Sequence, residues 1–163
     1  DILPDKIETV YSNPTNIEES VRDADLGIST VLIPGRRAPQ LIKEDMVKQM
    51  KEGSVIVDVA IDQGGSTDIT KSHATSLSDP IFVKHGVIHY AVANIPGAVA
   101  ITSTYALSNA TTRYMKTIAN LGIKNACEKS PELISGINTY DGFVTNEGVA
   151  EDTGFEYKEL NIK

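Results

Sequence analysis

Apolar residues in the first part of the chain recur at spacings that predict strands and helices in alternation. The pattern predicts a short strand at residues 7–11 and a helix at residues 16–24, with Asn16 as its N-cap. A buried strand is predicted at residues 28–33, where Pro34 and the following glycine end it. This succession is typical of an α/β protein.

The next segment continues the alternation. Apolar residues fall at helical spacing over residues 41–50, and Gly53 follows a basic last turn, which is typical of a helix end. Residues 54–62 are almost continuously apolar, as expected when helices cover both faces of a parallel sheet. A strand pair follows, with its turn at residues 84–86.

The pattern changes after Pro96. Residues 102–122 predict one long helix, residues 123–128 predict a shorter one, and a further helix is expected to begin at Pro131, before a tail interrupted by glycines. The chain therefore divides into an α/β region and a helical, partly irregular region.

Composition narrows the possible partners. The chain has 163 residues, of which 40% are hydrophobic and 23% charged, enough for one globular domain with a core. The net charge of −7 disfavours nucleic acid and anionic membranes as partners, since both would repel the protein. No apolar run approaches the roughly 20 residues that cross a bilayer. The single Cys127 cannot form an internal disulfide, which favours a reducing cytoplasm.

Three predicted strands end in similar sequences, namely VLIPG, VAIDQGG and VANIPG. Open parallel sheets bind ligands at the carboxyl ends of their strands, and glycine there lets a ligand approach the backbone. Loops after strands often contain glycine and proline for structural reasons alone. Three such ends, together with the carboxylate of Asp62 and the carboxamide of Asn94, favour a ligand site.

Asp62 and Asn94 suit different tasks at such a site. A carboxylate can take up and release a proton, although Asp62 could instead cap a helix. A carboxamide both donates and accepts, so Asn94 could orient a ring that bears its own amide. The three histidines show no metal-ligand spacing, and structural roles are expected for His73, His85 and His89. The sequence contains no GxGxxG run.

At these residues the sequence resembles the alanine dehydrogenases, NAD-dependent enzymes that interconvert L-alanine with pyruvate and ammonia. The most specific runs are ADLGISTVLIPGRRAP, GSVIVDVAIDQGG, VANIPGAV, TSTYALSNAT and GINTYDGFVTNEGVA. A related transhydrogenase subunit shares the style of PGR.AP and GSVIVD. It differs at the IDQGG stretch, so the dehydrogenase is favoured.

The resemblance implies a partial Rossmann-like, doubly wound parallel sheet followed by a helical C-terminal segment. Residues 1–96 would be the second half of an NAD-binding domain, and residues 97–163 would pack on an N-terminal substrate domain. That domain and the glycine-rich phosphate loop would lie upstream of Asp1, which is not a methionine. The chain alone is therefore expected to be inactive.

The resemblance also implies roles for particular residues. Asp62 matches the catalytic aspartate. The residues that match cofactor-binding positions are Ser12 near the adenine, Val31 and Leu32 along the cofactor, Val59, Ala60, Ile61 and Asp62 beside the nicotinamide, and Val92, Ala93, Asn94 and Ile95 in the loop that closes over it. Lys71 stands where some members have a cofactor-contacting arginine. No metal is expected, because Thr117 and Leu121 replace the carboxylate and imidazole of a metal site found in part of the family.

The predicted function is that of the C-terminal part of an oxidoreductase for NAD-dependent, reversible oxidative deamination of L-alanine. The cofactor would be NAD, and the intact enzyme would be a cytoplasmic homo-oligomer, a hexamer as in the family. Two alternatives stay open: an NAD(H)-binding component of a transhydrogenase-type protein, and a non-catalytic nucleotide-binding module.

Overall fold

The computed structural model describes residues 7–162. Of these, residues 7–32 and 38–93 form one compact unit, and residues 33–37 and 94–162 form a second. The assignment of the two parts to half of an NAD-binding domain and to a segment that packs on a substrate domain stays a prediction.

The first unit is a mixed four-stranded sheet with helices. Its strands lie in the order β1-β2-β4-β3, with the β1–β2 and β2–β4 pairs parallel and the β3–β4 pair antiparallel. The elements are α1 (Pro14–Asp23), β1 (Leu26–Ser29), α2 (Glu44–Val47), β2 (Val55–Asp58), β3 (Ile81–Lys84) and β4 (Val87–Tyr90). The predicted α/β class with a parallel sheet is confirmed.

The core lies on one face of this sheet. Ile56 of β2 and Val87 of β4 point to this face, because side chains alternate along a strand. The residues packed there come from α1, from α2 and the segments on either side of it, from the strands and from the loop after β2: Ile17, Val21, Ile42, Met46, Val47, Met50, Ile56, Ile69, Phe82 and Val87. The opposite face includes Leu26, Ile28 and Val83, each more than half exposed.

Several predicted bounds needed correction. Helix α1 begins at Pro14, and its N-cap is Asn13, whose side chain accepts from the Asn16 amide at 2.9 Å, so the assignment of the cap to Asn16 was wrong. No strand precedes α1 among the described residues. The helix expected at 41–50 is only α2, since the amides of Leu41 and Ile42 donate to the Ser66 carbonyl instead.

The predicted hairpin is confirmed as β3 and β4. His85 and Gly86 form its two-residue loop, with φ of 55° and 75°. Two positive φ angles in a two-residue loop give a type I′ turn, whose twist matches that of the strands.

The second unit is built around α3 (Ala100–Lys129), which is interrupted at Gly122, where φ is 70°. The helices predicted on either side of that glycine are confirmed, whereas the helix expected from Pro131 is a 3₁₀ segment, Pro131–Gly136. The glycine-rich tail contains a hairpin, β5 (Thr139–Tyr140) and β6 (Phe143–Val144), and helix α4 (Glu147–Thr153). Within residues 7–162, no helix combines the length and apolar character needed to span a membrane.

Candidate active site at the strand ends

The carboxyl ends of β1, β2 and β4 lie at one edge of the sheet. Ser29 at the end of β1 pairs with Asp58 at the end of β2, and Val57 pairs with Tyr90 at the end of β4, all in parallel register. The segments that follow these strands contain the predicted cofactor-binding residues beyond Ser12. Open parallel sheets bind ligands at this edge.

Asp62 lies on a 3₁₀ turn rather than on the strand itself. Strand β2 ends at Asp58, and the turn runs over Val59–Gln63. Asp58 is the N-cap of the turn, and its carboxylate accepts from the Ala60 amide at 3.0 Å. The prediction of a strand through residue 62 was therefore wrong, and Asp62 lies inside a turn whose N-cap is Asp58.

Two glycines close the turn that contains Asp62. The Gly64 amide donates to the Ile61 carbonyl at 3.0 Å, and the Gly65 amide donates to the Ala60 carbonyl at 3.2 Å. A Cβ on Gly65 would lie 2.9 Å from both the Cα and the amide nitrogen of Lys71, so only glycine fits against that backbone.

The residues of this turn differ in exposure. Asp62 is exposed and Val59 is 44% exposed, whereas Ala60 and Ile61 are buried. A ligand at the surface of the turn would therefore contact the side chains of Val59 and Asp62.

Ser12 lines a cavity of about 390 Å³ between α1 and β1. Ser29 at the end of β1 and the core residue Ile56 also line it. Val31 and Leu32 follow β1, and the Leu32 side chain is 61% exposed. A largely apolar cavity that is lined in part by serine residues suits a planar aromatic group such as the predicted adenine.

The segment after β4 passes from the first unit into the second. Val92 is fully buried and pairs with Thr75, and the Ala93 amide donates to the Thr75 carbonyl at 3.3 Å. Asn94 has the left-handed backbone conformation (φ 57°, ψ 51°) and begins the 3₁₀ segment Ile95–Val99. Asparagine adopts this conformation more readily than most other non-glycine residues.

The remaining polar candidates have structural partners. Lys71 lies 3.4 Å from the Asp68 carboxylate, so a cofactor contact for Lys71 stays a prediction. His85 Nε2 lies 2.7 Å from Glu44, and the ring of His89 stacks on Phe82 at 4.9 Å. Among residues 7–162, no three histidine, cysteine, aspartate or glutamate side chains form a group that could hold a metal ion.

Asp58 is the residue of this region that sequence reasoning missed. It stands inside an almost continuous apolar run, where the strand pattern hides it. In the structure it is fully buried, and its carboxylate joins the turn that contains Asp62 to the segment after it. The available signal was an aspartate between buried apolar residues, with hydroxyl residues shortly downstream at Ser66 and Thr67.

A family model described as "Alanine dehydrogenase/PNT, C-terminal domain" matches residues 1–147. The chain is 54% identical over 160 residues to an alanine dehydrogenase of Staphylococcus haemolyticus (strain JCSC1435), covering 98% of this chain and 43% of the relative. It is 53% identical to alanine dehydrogenase 2 of Staphylococcus aureus (strain USA300), with the same coverage. The chain thus spans less than half the length of these relatives.

Two solved structures resemble this one. An L-alanine dehydrogenase superposes with a TM-score of 0.72 at 44% identity, over 92% of this chain and 41% of that chain. A transhydrogenase from Sinorhizobium meliloti superposes with a TM-score of 0.56 at 28% identity, over 69% of this chain and 32% of that chain. The likeness to the dehydrogenase is the stronger of the two.

Proposed function

Because this chain belongs to the alanine dehydrogenase/PNT C-terminal domain family, we propose that it supplies the nicotinamide side of the active site of an NAD-dependent L-alanine dehydrogenase. The reaction is the reversible oxidative deamination of L-alanine to pyruvate and ammonia. The observation that carries the proposal is the exposed carboxylate of Asp62, on a capped turn at the carboxyl edge of a parallel sheet.

The predicted cofactor-binding residues divide between the two ends of NAD. Ser12 and its cavity suit the adenine end, and Val31 and Leu32 follow the adjacent strand. The nicotinamide end is assigned to the two remaining segments, which comprise Val59, Ala60, Ile61 and Asp62 after β2, and Val92, Ala93, Asn94 and Ile95 after β4. When bound, NAD supplies the hydride acceptor or donor.

The carboxylate of Asp62 suits two tasks in the reaction, proton transfer and charge stabilisation. Its carboxylate can hold and release a proton, and its negative charge can balance the positive charge that develops on the substrate nitrogen. The turn that contains Asp62 is closed at both ends by hydrogen bonds, which limits the positions that its backbone can take. Asn94 can both donate to and accept from a carboxamide, so it can orient the ring that bears one.

We also propose that the intact enzyme is a cytoplasmic homo-oligomer, a hexamer as the resemblance implies, with no nucleic acid or membrane partner. Exposed apolar side chains on α3 support association, because such surfaces usually meet a partner. The acidic net charge supports the exclusion of nucleic acid.

The second candidate is the NAD(H)-binding component of a transhydrogenase-type protein. The superposition on the Sinorhizobium meliloti structure favours it, but at lower identity and over less of the chain than the dehydrogenase. A non-catalytic nucleotide-binding module would use the same sheet edge without requiring the charge of Asp62.

The deciding experiment is Asp62→Asn in a complete alanine dehydrogenase that carries this sequence. Asparagine keeps the size and removes the negative charge and the proton-accepting oxygen. We expect kcat to fall about 10²–10⁴-fold while NADH affinity, measured by fluorescence, changes less than about tenfold. Asp79→Asn, at an exposed turn of the same unit, is the matched control. A kcat within a few-fold of the parent enzyme for Asp62→Asn would remove Asp62 from the catalytic machinery.

A further inference from the structure

We propose that Asp58 is a positioning residue, a buried carboxylate that fixes the backbone position of the turn containing Asp62. The inference rests on the proposed function of Asp62 and adds a residue that the resemblance does not include. Asp58 is the last residue of β2, and none of its surface is exposed. A buried carboxylate is costly unless hydrogen bonds compensate for the lost water.

Each carboxylate oxygen of Asp58 accepts two hydrogen bonds from described residues. Oδ1 accepts from the Ala60 amide at 3.0 Å and from the Ser66 hydroxyl at 2.8 Å. Oδ2 accepts from the Ser66 amide at 2.8 Å and from the Thr70 hydroxyl. Each oxygen therefore binds one amide, whose direction is fixed, and one hydroxyl.

For each hydrogen bond between the hydroxyl groups around Asp58, the donor can be assigned. Thr70 has a single hydroxyl proton, and it goes to Asp58. The 2.8 Å contact between the Thr67 and Thr70 hydroxyls must then have Thr67 as the donor. Thr67 Oγ1 in turn accepts from the amides of Ile69 and Thr70, so every member of this buried chain has partners.

This network closes a loop around Asp62. The Ala60 amide fixes the start of the turn, and the Ser66 amide and hydroxyl fix the point where the chain leaves it. Asp62 lies between those two points, so one carboxylate anchors the backbone on both sides of the catalytic candidate. The segment after α1 and β1 also attaches here, since the Ala38 amide donates to the Gln63 carbonyl at 2.8 Å.

A carboxamide cannot replace this carboxylate. In Asp58→Asn, one of the two oxygens becomes an NH₂ group, and whichever one changes will face a backbone amide that can only donate. A hydroxyl can rotate to accept from the new group, but the Ala60 or Ser66 amide cannot. The substitution therefore leaves a buried donor unsatisfied at one end of the loop.

The first test uses the 163-residue chain itself and measures amide hydrogen exchange by NMR, with no cofactor or substrate. In Asp58→Asn we expect exchange at Gly64 and Gly65 to accelerate at least about tenfold, although neither amide contacts Asp58. The Ile88 amide, which donates to Ser54 in the sheet, is the reference and should change less than about twofold. Unchanged Gly64 and Gly65, or an equal acceleration at Ile88, would overturn the proposal.

Thr70→Val tests the same idea if Asp58→Asn does not fold. It removes one donor to Asp58 and keeps the side-chain shape, so we expect the same pattern at the two glycine amides with a smaller amplitude. Thr75→Val is the matched control, because the Thr75 hydroxyl donates to Pro80 rather than to Asp58. Equal exchange in the two threonine variants would count against the proposal.

The second test is a double-mutant cycle in a complete alanine dehydrogenase that carries this sequence. If Asp58 acts through Asp62, Asp58→Asn lowers kcat about tenfold or more in the parent but less than about threefold in an Asp62→Asn background. If the double variant loses kcat by the product of the two single factors, Asp58 acts independently of Asp62, and the proposal is overturned. If Asp62→Asn is silent, the proposed function of Asp62 fails, while the exchange experiment still reports whether Asp58 holds the turn.

Discussion

Gly148 packs so closely against Arg36 that a Cβ on the glycine would lie 2.8 Å from Arg36 Cγ. Gly148 is in the first turn of α4, and Arg36 is in the segment that follows the first predicted cofactor strand. The Arg36 guanidinium pairs with Glu151, and the Arg37 amide donates to the Asp152 carboxylate at 2.6 Å. The PGRR segment and the NEGVAED segment of the tail are therefore direct partners in the second unit.

We expect Gly148→Ala to lower the free energy of unfolding by about 1–3 kcal/mol, because the added methyl group must displace Arg36 or the helix. Urea denaturation of the chain, followed by circular dichroism, measures this change. Gly136→Ala is the matched control in the same unit, since a Cβ there meets nothing within 4 Å. Equal stabilities for the two variants would show that the contact is easily relieved.

A second prediction concerns the acid stability of the contact between α2 and the β3–β4 turn. Hydrogen bonds from His85 and then Lys84 lower the pKa of Glu44 from 4.5 to about 2. A lowered carboxyl pKa stabilises the fold above the ordinary value, and this contribution is lost as pH falls from 4.5 towards 2. The Glu44 side chain is 39% exposed, so solvent screens the effect.

In Glu44→Gln the urea midpoint should therefore fall less steeply than in the parent below about pH 4.5, and the two proteins should differ most near neutral pH. Glu156→Gln, at an exposed position of the tail, controls for the general loss of one negative charge. Parallel pH profiles for parent and Glu44→Gln would contradict the prediction.

The sequence predicted the elements whose signals are local. The β3–β4 hairpin has its turn where His85 and Gly86 take positive φ, and the break at Gly122 falls where the two helices were separated. The lengths of β2 and α2 could not be predicted, because both are set by distant hydrogen bonds. The Ser66 carbonyl accepts hydrogen bonds from the amides of Leu41 and Ile42. The Ser66 amide and hydroxyl donate to Asp58.

The candidate site likewise contains one residue whose place the sequence predicts, Asp62, and one whose role it does not, Asp58. The meeting of three strand ends at one edge follows from parallel pairing, so Asp62 could be assigned to that edge before its geometry was known. The structural role of Asp58 could not be predicted, because it depends on four hydrogen-bond donors that only the folded chain brings around the carboxylate. Periodicity identifies which residues are apolar, but it does not reveal which polar groups are buried together.

A third prediction concerns self-association through α3. Its apolar side chains at Ile101, Tyr105, Leu107 and Met115 are 65–77% exposed. We expect the chain to associate in sedimentation velocity, and expect the double variant Leu107→Glu, Met115→Glu to weaken association by about tenfold or more. Asn120→Glu adds charge to the same helix without removing an apolar side chain. A parent chain that stays monomeric at all concentrations would contradict the prediction.

The last prediction concerns His89, a fully buried histidine of β4. Its ring stacks on Phe82, and neither ring nitrogen has a hydrogen-bond partner among the described residues. Burial lowers the pKa of His89 below the ordinary 6.5, and this outweighs the raising effect of the Asp58 carboxylate. The folded protein therefore keeps His89 neutral at a pH where the unfolded chain takes up a proton.

The sign of the resulting pH dependence follows directly. Because unfolding takes up a proton at His89 below about pH 6.5, the contribution of His89 to stability is constant above that value and falls as the pH drops through it, by at most about 1.4 kcal/mol per pH unit. His89→Phe keeps a flat ring against Phe82 and removes the titration, so its stability should fall less between about pH 7 and pH 5. Urea midpoints of parent and variant across that range measure the difference. The Glu44 contribution lies at lower pH and does not overlap with it. If His89→Phe shows the same slope as the parent, the acid sensitivity in this range arises from another group.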